Sequence, residues 1–559
     1  MTNKKAKKIN KKKKRTLLTN SIRGLFLCML LFYTVSSDAG TYLSTKHGDS
    51  TDGVDRSVVT SSAYPDATNT YPKGHCGHCH EQHTSIDGSE PTLPTAQGPS
   101  KYALFKDNDG GAGITNELCH ACHEQLTIGS MTATYGEYGI YQGKTKYNAS
   151  IHGTSASMNW SPDASPPGPP FGPNSTLTDD GNCHNCHNPH GYDDGSGLVP
   201  HMLFARDSAT GDSPAYEMGC EACHDGTQAT EDVQTQMDKT YAHPTHTYNN
   251  RHTLPENGTS FETRHAECVD CHNPHTVQSG THTAQTDGNA VSNVLSYVWG
   301  VEPTWPAIWT KPVTFTERKP PTYTDGALYE YQICFKCHSN YGLGTVTNGV
   351  STITGPSGTL ITDQAWEFNP NNKSAHPVVV TLNNQTGSYA PKALNAVQLK
   401  APWNADPGNQ TMYCSDCHGA DDEATSSKGP HGSSRKYMLK GTGQYWPTDP
   451  SGTLWEWGSI TDDLFCRNCH PLTGDTDSWT DHDRAAHGDP CVYCHVAVPH
   501  GSQRSRLIGY NTEVAPYNYN GNSLEWTGFR KTTYNNYDEN VNCEAVCRSA
   551  HGVSPGPAD

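Results

Sequence analysis

Nine times in this chain two cysteines separated by two residues are followed directly by histidine. The cysteine pairs are Cys76/Cys79, Cys119/Cys122, Cys183/Cys186, Cys220/Cys223, Cys268/Cys271, Cys334/Cys337, Cys414/Cys417, Cys466/Cys469 and Cys491/Cys494. The histidines are His80, His123, His187, His224, His272, His338, His418, His470 and His495. C-x-x-C alone serves zinc ribbons and redox-active thiols equally well. The added histidine makes it the attachment signature of c-type haem. Two thiols one turn apart can bond the two vinyl groups of one porphyrin edge, and the next imidazole reaches the iron as proximal ligand. With 30 histidines in 559 residues, nine chance matches can be discarded. The pattern predicts nine covalent haems rather than zinc or disulfides.

Composition fits a chain whose core is supplied from outside the polypeptide. Hydrophobic residues make up 33%, and 52 glycines can be added to them. The sum stays below the roughly 45–50% usual on that count. Past residue 39, each haem is served by about 58 residues, near the size at which a chain barely builds a core alone. The haems are then core and staple together, and the haem-free chain is expected not to fold. The expected fold is mostly irregular coil with short helices at the C-x-x-C-H sites, organised around nine haems.

The first 39 residues differ from the rest. Nine Lys and Arg fall between positions 4 and 15, an apolar run covers Leu25 to Val35, and Ser37-Asp38-Ala39 follows. This describes a signal peptide cleaved after Ala39, because 11 apolar residues fall well short of the ~20 that span a bilayer. No transmembrane segment is expected in the mature chain. Removing residues 1–39 leaves 29 basic against 56 acidic residues, a net charge of −27. Such a balance argues against nucleic acid as a partner.

The nine motifs, spread over residues 76 to 500, with the C-H-N-P-H extensions at His187–His190 and His272–His275, resemble the multihaem c-type cytochromes that bacteria export for electron transfer to and beyond the outer membrane. Some outer-surface members of that class polymerise into filaments. The resemblance implies redox-protein donors and acceptors, extracellular or outer-surface localisation with the periplasm as alternative, self-association as a further option, and an external acceptor such as metal oxide.

Each iron needs a second axial ligand. Only seven methionines follow the leader, too few for nine haems, so histidine is the expected partner. His190 and His275 follow their motif histidine by three residues with proline between, which stiffens the turn and carries the imidazole away from its own haem. His431 and His500 repeat the Pro-His pair, and His83 keeps the same offset without proline. His152, His243, His376, His487 and His47 complete the candidates, and the family resemblance allows His47 to reach a haem of an adjacent copy. His78, His120 and His184, inside the motifs, are expected to be partly exposed or to bond nearby groups.

Motif histidines are spaced irregularly, by 25 to 80 residues, so the chain is no fixed-period solenoid. Residues 40–275 form a five-haem region, and 276–333 read as a haem-free Pro/Trp-rich linker or surface-packing segment. Residues 334–500 form a four-haem region with a β-rich insertion at 342–412, where 344–362 and 376–384 carry the strand signal. The final stretch, 501–559, has no haem motif. Its Cys543 and Cys547 are candidates for a disulfide, with a degenerate tenth attachment site using His551 as the alternative.

The leading functional expectation is electron conduction with no catalytic residue. The alternative is a multihaem reductase or oxidase of a small nitrogen or sulfur compound with one open iron.

Overall fold

The computed structural model describes residues 42–55 and 71–80, short stretches between 117 and 154, parts of 183–191 and 220–245, and most of 266–519, with two short strands at 531–533 and 536–537. The signal segment 1–39, His83, His184, His487, Cys543, Cys547 and His551 lie outside the described residues. What is described is mostly coil, with few helices and small two- and three-stranded sheets. It falls into two compact units, one drawn from 1–132 and 159–207, the other from 133–158 and 208–559. The first three motifs belong to one unit and the last six to the other, a division that departs from the boundary expected near residue 275.

Each C-x-x-C-H stretch is one helical turn. The motif histidine donates its backbone N–H to the carbonyl of the first cysteine in His80, His187, His224, His272, His418, His470 and His495, at 2.9–3.0 Å. The second and sixth motifs close the helices Glu117–His123 and Glu330–His338. Positions i, i+3 and i+4 of a helix share a face, so this turn aims both thiols and the imidazole the same way. In two motifs the acid before the second cysteine caps the turn from inside: Asp270 accepts the backbone N–H of Glu267 at 2.8 Å, and Asp416 that of Tyr413 at 2.7 Å. Both follow the reciprocal logic of a capping box.

Between the sixth and seventh motifs, Val346–Thr347, Val350–Thr354 and Leu360–Thr362 form an antiparallel three-stranded sheet. Its first turn is Asn348-Gly349, both with positive φ (51° and 78°), as a two-residue hairpin requires. The other expected strand, 376–384, is not formed over its described part, 376–382. Only Ser374–Ala375 pairs, with Gly501–Ser502, and Pro377 then withdraws a backbone donor.

Within 276–333, described residues such as Trp299, Val301 and Tyr331 belong to a core. Gly300–Pro303 pairs with Phe315–Arg318, and Trp299 and Val301 pack with Tyr331, Phe335, Ala365, Phe368, Trp403 and Met412. Partly buried Cys414, Cys417 and Cys469 line that cluster. A second cluster, Leu439, Trp446, Trp455, Leu464 and Val492, packs against Cys466 and Cys491. Both apolar clusters thus abut motif cysteines. Phe335, 1% exposed, is expected to cost about 3–5 kcal/mol when truncated to alanine, read as a lowered melting temperature of the haem-loaded protein.

Candidate functional site: paired histidines

Six motif histidines each face one further histidine. Ring centroids are 5.9 Å apart for His80 and His190, 6.1 Å for His123 and His47, 6.2 Å for His224 and His152, 6.0 Å for His272 and His431, 6.1 Å for His338 and His243, and 6.0 Å for His418 and His500. His376 lies near enough to His470 to help lower its pKa. With a metal–nitrogen bond of ~2 Å and ~1.1 Å from ring nitrogen to centroid, two imidazoles on opposite sides of one metal ion sit ~6.2 Å apart. The observed pairs have that spacing.

The nitrogen left over is the right one. Among the motif histidines, Nδ1 of His272, His418, His470 and His495 bonds the carbonyls of Val294, Tyr437, Gln398 and Arg506 at 2.7–3.2 Å. Among the others, Nδ1 of His47, His152, His243 and His376 bonds the carbonyls of Pro189, Pro274, Pro430 and Pro499 at 3.3, 2.8, 2.7 and 2.6 Å. A ligating histidine donates its second ring N–H in this way, fixing the tautomer and leaving Nε2 for the metal. Desolvation also pushes His418 and His470 down to about 4 and His431 to about 3. Each is neutral at pH 7, the form that can ligate.

Those four prolines each precede one of His190, His275, His431 and His500. One structural device therefore occurs four times: a histidine leans on the carbonyl of a Pro-His pair 122 to 187 residues away. Two versions exist. In Tyr42–Gly48 and Tyr147–Gly153 the sequence is Tyr-x-x-Ser/Thr-x-His-Gly. Thr45 and Ser150 each donate to the tyrosine carbonyl at 2.7 Å and accept the glycine N–H at 3.0 Å. A Cβ on Gly48 or Gly153 would lie 2.0 Å from that carbonyl, so only glycine fits. Each tyrosine ring also packs on the Pro-His imidazole, Tyr42 on His190 at 5.8 Å and Tyr147 on His275 at 6.2 Å. In the second version, Ala-His-Pro, the residues before His243 and His376 pair as strands with Gly432–Ser433 and Gly501–Ser502. Backbone bonds from His243 to His431 and from His376 to His500 extend the pairing.

The device joins neighbouring motifs. His190 and His47 face the histidines of the first and second, His431 and His243 those of the fifth and sixth, and His500 faces the seventh beside His376 near the eighth. Thiol contacts supply alternate links: Cys119 with Cys183, Cys220 with Cys268, and Cys334 with Cys414. Cys491 lies close enough to raise the Cys466 pKa. Inside each unit the motifs are consequently linked in sequence order, first to third and fourth to ninth.

The three thiol pairs in hydrogen-bonding contact join first cysteines of their motifs, a distinction the motif spacing does not show. The second cysteines are placed differently. Cys79, Cys186, Cys223 and Cys494 end their own turn, each donating its backbone N–H to the carbonyl of the first cysteine, Cys76, Cys183, Cys220 and Cys491, at 3.0–3.2 Å. Cys122 and Cys337 lie within the helices Glu117–His123 and Glu330–His338. Cys186 is exposed, while Cys79, Cys122, Cys223, Cys337 and Cys494 are half-buried. Cys417 and Cys469 close their turns the same way, at 3.1 and 3.3 Å, and with Cys271 they also back onto apolar clusters, Cys271 on that of Val298, Leu328 and Ile333. No disulfide joins cysteines among the described residues.

Several expectations are refined. Three Pro-His imidazoles, His190, His431 and His500, face the histidine two motifs back: His190 lies past the third motif yet faces His80. The position expected to reach another copy, His47, faces His123 of the same chain. His78 is 2% exposed, with Nε2 bonded to the Pro72 carbonyl at 2.9 Å, and His120 is 3% exposed, so neither is a surface residue. Among the described residues the one converging group of three is Glu330, Cys334 and Cys414, which takes its thiols from two motifs. No helix among the described residues is long and apolar enough to cross a membrane.

No protein-family model matches the chain, and comparison with curated proteins and with solved structures gives no match.

Proposed function

We propose that this chain carries electrons along a line of nine covalently bound c-type haems, exported and working at or beyond the cell surface between redox-protein donors and acceptors or an external acceptor. The observation that carries the reading is the set of six histidine pairs about 6 Å apart, with Nδ1 held by a backbone carbonyl in five of their members, His47, His152, His243, His272 and His418. The nine C-x-x-C-H turns offer the thiols and proximal imidazoles on one face, and the paired histidines offer the second axial ligand. The bound group would supply one-electron chemistry at iron. The chain's part is to hold two imidazoles on each metal, which keeps it six-coordinate and able to change oxidation state with little rearrangement.

Sequence-ordered links between motifs support a conduit. Electron tunnelling weakens steeply with distance, and both the Pro-His device and the thiol contacts bring consecutive motifs together. Electron paramagnetic resonance of the oxidised protein, with haem counted on the same sample, tests the reading. Nine low-spin ferric haems are expected. A high-spin signal near one per chain would turn the reading toward a reductase with an open iron, and a count well below nine would overturn the cofactor assignment.

A further inference from the structure

The fifth and seventh sites share a proximal carbonyl bond and a Pro-His-Gly distal segment seated on a buried residue, and that buried residue differs. At both, the proximal Nδ1 bonds a backbone carbonyl, Val294 for His272 at 3.0 Å and Tyr437 for His418 at 2.7 Å. At both, the distal imidazole follows proline and precedes a glycine whose Cβ would lie 1.9 Å from the carbonyl of a buried residue. That residue is Gln236 beside Gly432 and Glu367 beside Gly501. Gln236 turns its side-chain oxygen to Lys239 Nζ at 2.6 Å. His431 Nδ1 is buried with no hydrogen-bond partner among the described residues. Glu367, fully buried, places Oε2 2.5 Å from His500 Nδ1. Its Oε1 accepts the hydroxyl of Tyr517, itself 1% exposed, at 2.7 Å. Phe368 lies against the His500 ring at 4.9 Å.

We infer that Glu367 is a positioning residue that lowers the reduction potential of the seventh haem below that of the fifth, acting through His500. The inference rests on the electron-transfer reading above. A carboxylate accepting the Nδ1–H of an axial imidazole increases its electron donation to iron and stabilises the ferric state. In a buried site that charge is weakly screened. His431, lacking such an acceptor, gives its iron no equivalent donation. Tyr517 moderates the effect, since its O–H takes up part of the carboxylate charge. Along the line of haems, the seventh is then a low-potential step two places after a higher fifth.

The test is a spectroelectrochemical titration of the haem-loaded full chain as wild type, Glu367→Gln and Tyr517→Phe, with haem counts and electron paramagnetic resonance on each. Glu367→Gln keeps size and an acceptor oxygen but removes the charge. It should move one ninth of the absorbance change to higher potential and shift one low-spin signal, leaving the rest in place. Tyr517→Phe should move the same ninth to lower potential. Opposite signs are beyond a merely structural role. If both variants carry nine six-coordinate haems and neither titration moves, or both move the same way, the role of Glu367 is overturned while the electron-transfer reading stands. If Glu367→Gln does not load with haem, Tyr517→Phe decides alone, a downward shift supporting the inference and no shift overturning it. A wild type with fewer than nine haems would instead sink the underlying reading.

Discussion

Produced in cells unable to attach haem, this chain should fail to fold, showing no cooperative thermal transition and degrading at many sites under brief proteolysis. The expected effect is the whole of the stability, about 5–15 kcal/mol for an ordinary domain. The reason lies in where the apolar side chains sit. Both main clusters back onto motif cysteines, Cys414, Cys417 and Cys469 in one and Cys466 and Cys491 in the other. Without the haems proposed for those cysteines, each cluster would keep an open wall. The remaining structure is too local to compensate, since strands such as Ser374–Ala375 and Gly432–Ser433 are two residues long, and a small chain lacking staples does not fold on such pairings. Circular dichroism of the haem-free chain checks this, and a sharp melting transition there would contradict it.

Replacing His243 by alanine should open a single iron. His243 faces His338 at 6.1 Å, and its Nδ1 bond to Pro430 fixes the ring that would ligate. The strand pairing of Tyr241–Ala242 with Gly432–Ser433 uses backbone alone, so the frame around the site should survive. One ninth of the ferric signal should pass from low-spin to high-spin. Carbon monoxide binding by the reduced protein should rise from none to one per chain, and added imidazole should restore the low-spin signal. Nine unchanged low-spin haems in the variant would place the sixth ligand of that iron elsewhere.

Much of the local structure was legible. Cysteines three apart and a histidine four on describe one helical turn, and Asn348-Gly349 between β-rich runs is a hairpin turn by its own chemistry. The paired capping acids Asp270 and Asp416 lay in the motif's variable positions and went unread. So did the repeated Tyr-x-x-Ser/Thr-x-His-Gly of Tyr42–Gly48 and Tyr147–Gly153, whose common spacing was the available signal. In the Trp-rich 276–333 segment, Trp299 and Val301 are buried in a shared core with Trp305 and Phe315 packed against it, a long-range packing that composition does not mark.

By itself the sequence determined the nine C-x-x-C-H turns, the supply of spare histidines and the shortage of apolar core, because each depends on residues close together in the chain. Only the tertiary structure decided which histidine meets which. His190, His431 and His500 each sit three residues or more beyond one motif and face the site two motifs earlier. Their placement is set by carbonyl bonds to His47, His243 and His376, across 142, 187 and 123 residues. Glu367 belongs to the same category, since nothing near it in sequence marks a carboxylate that closes on His500 from 133 residues away. Local spacing encodes a turn; a partner across more than a hundred residues is chosen by how the turns pack.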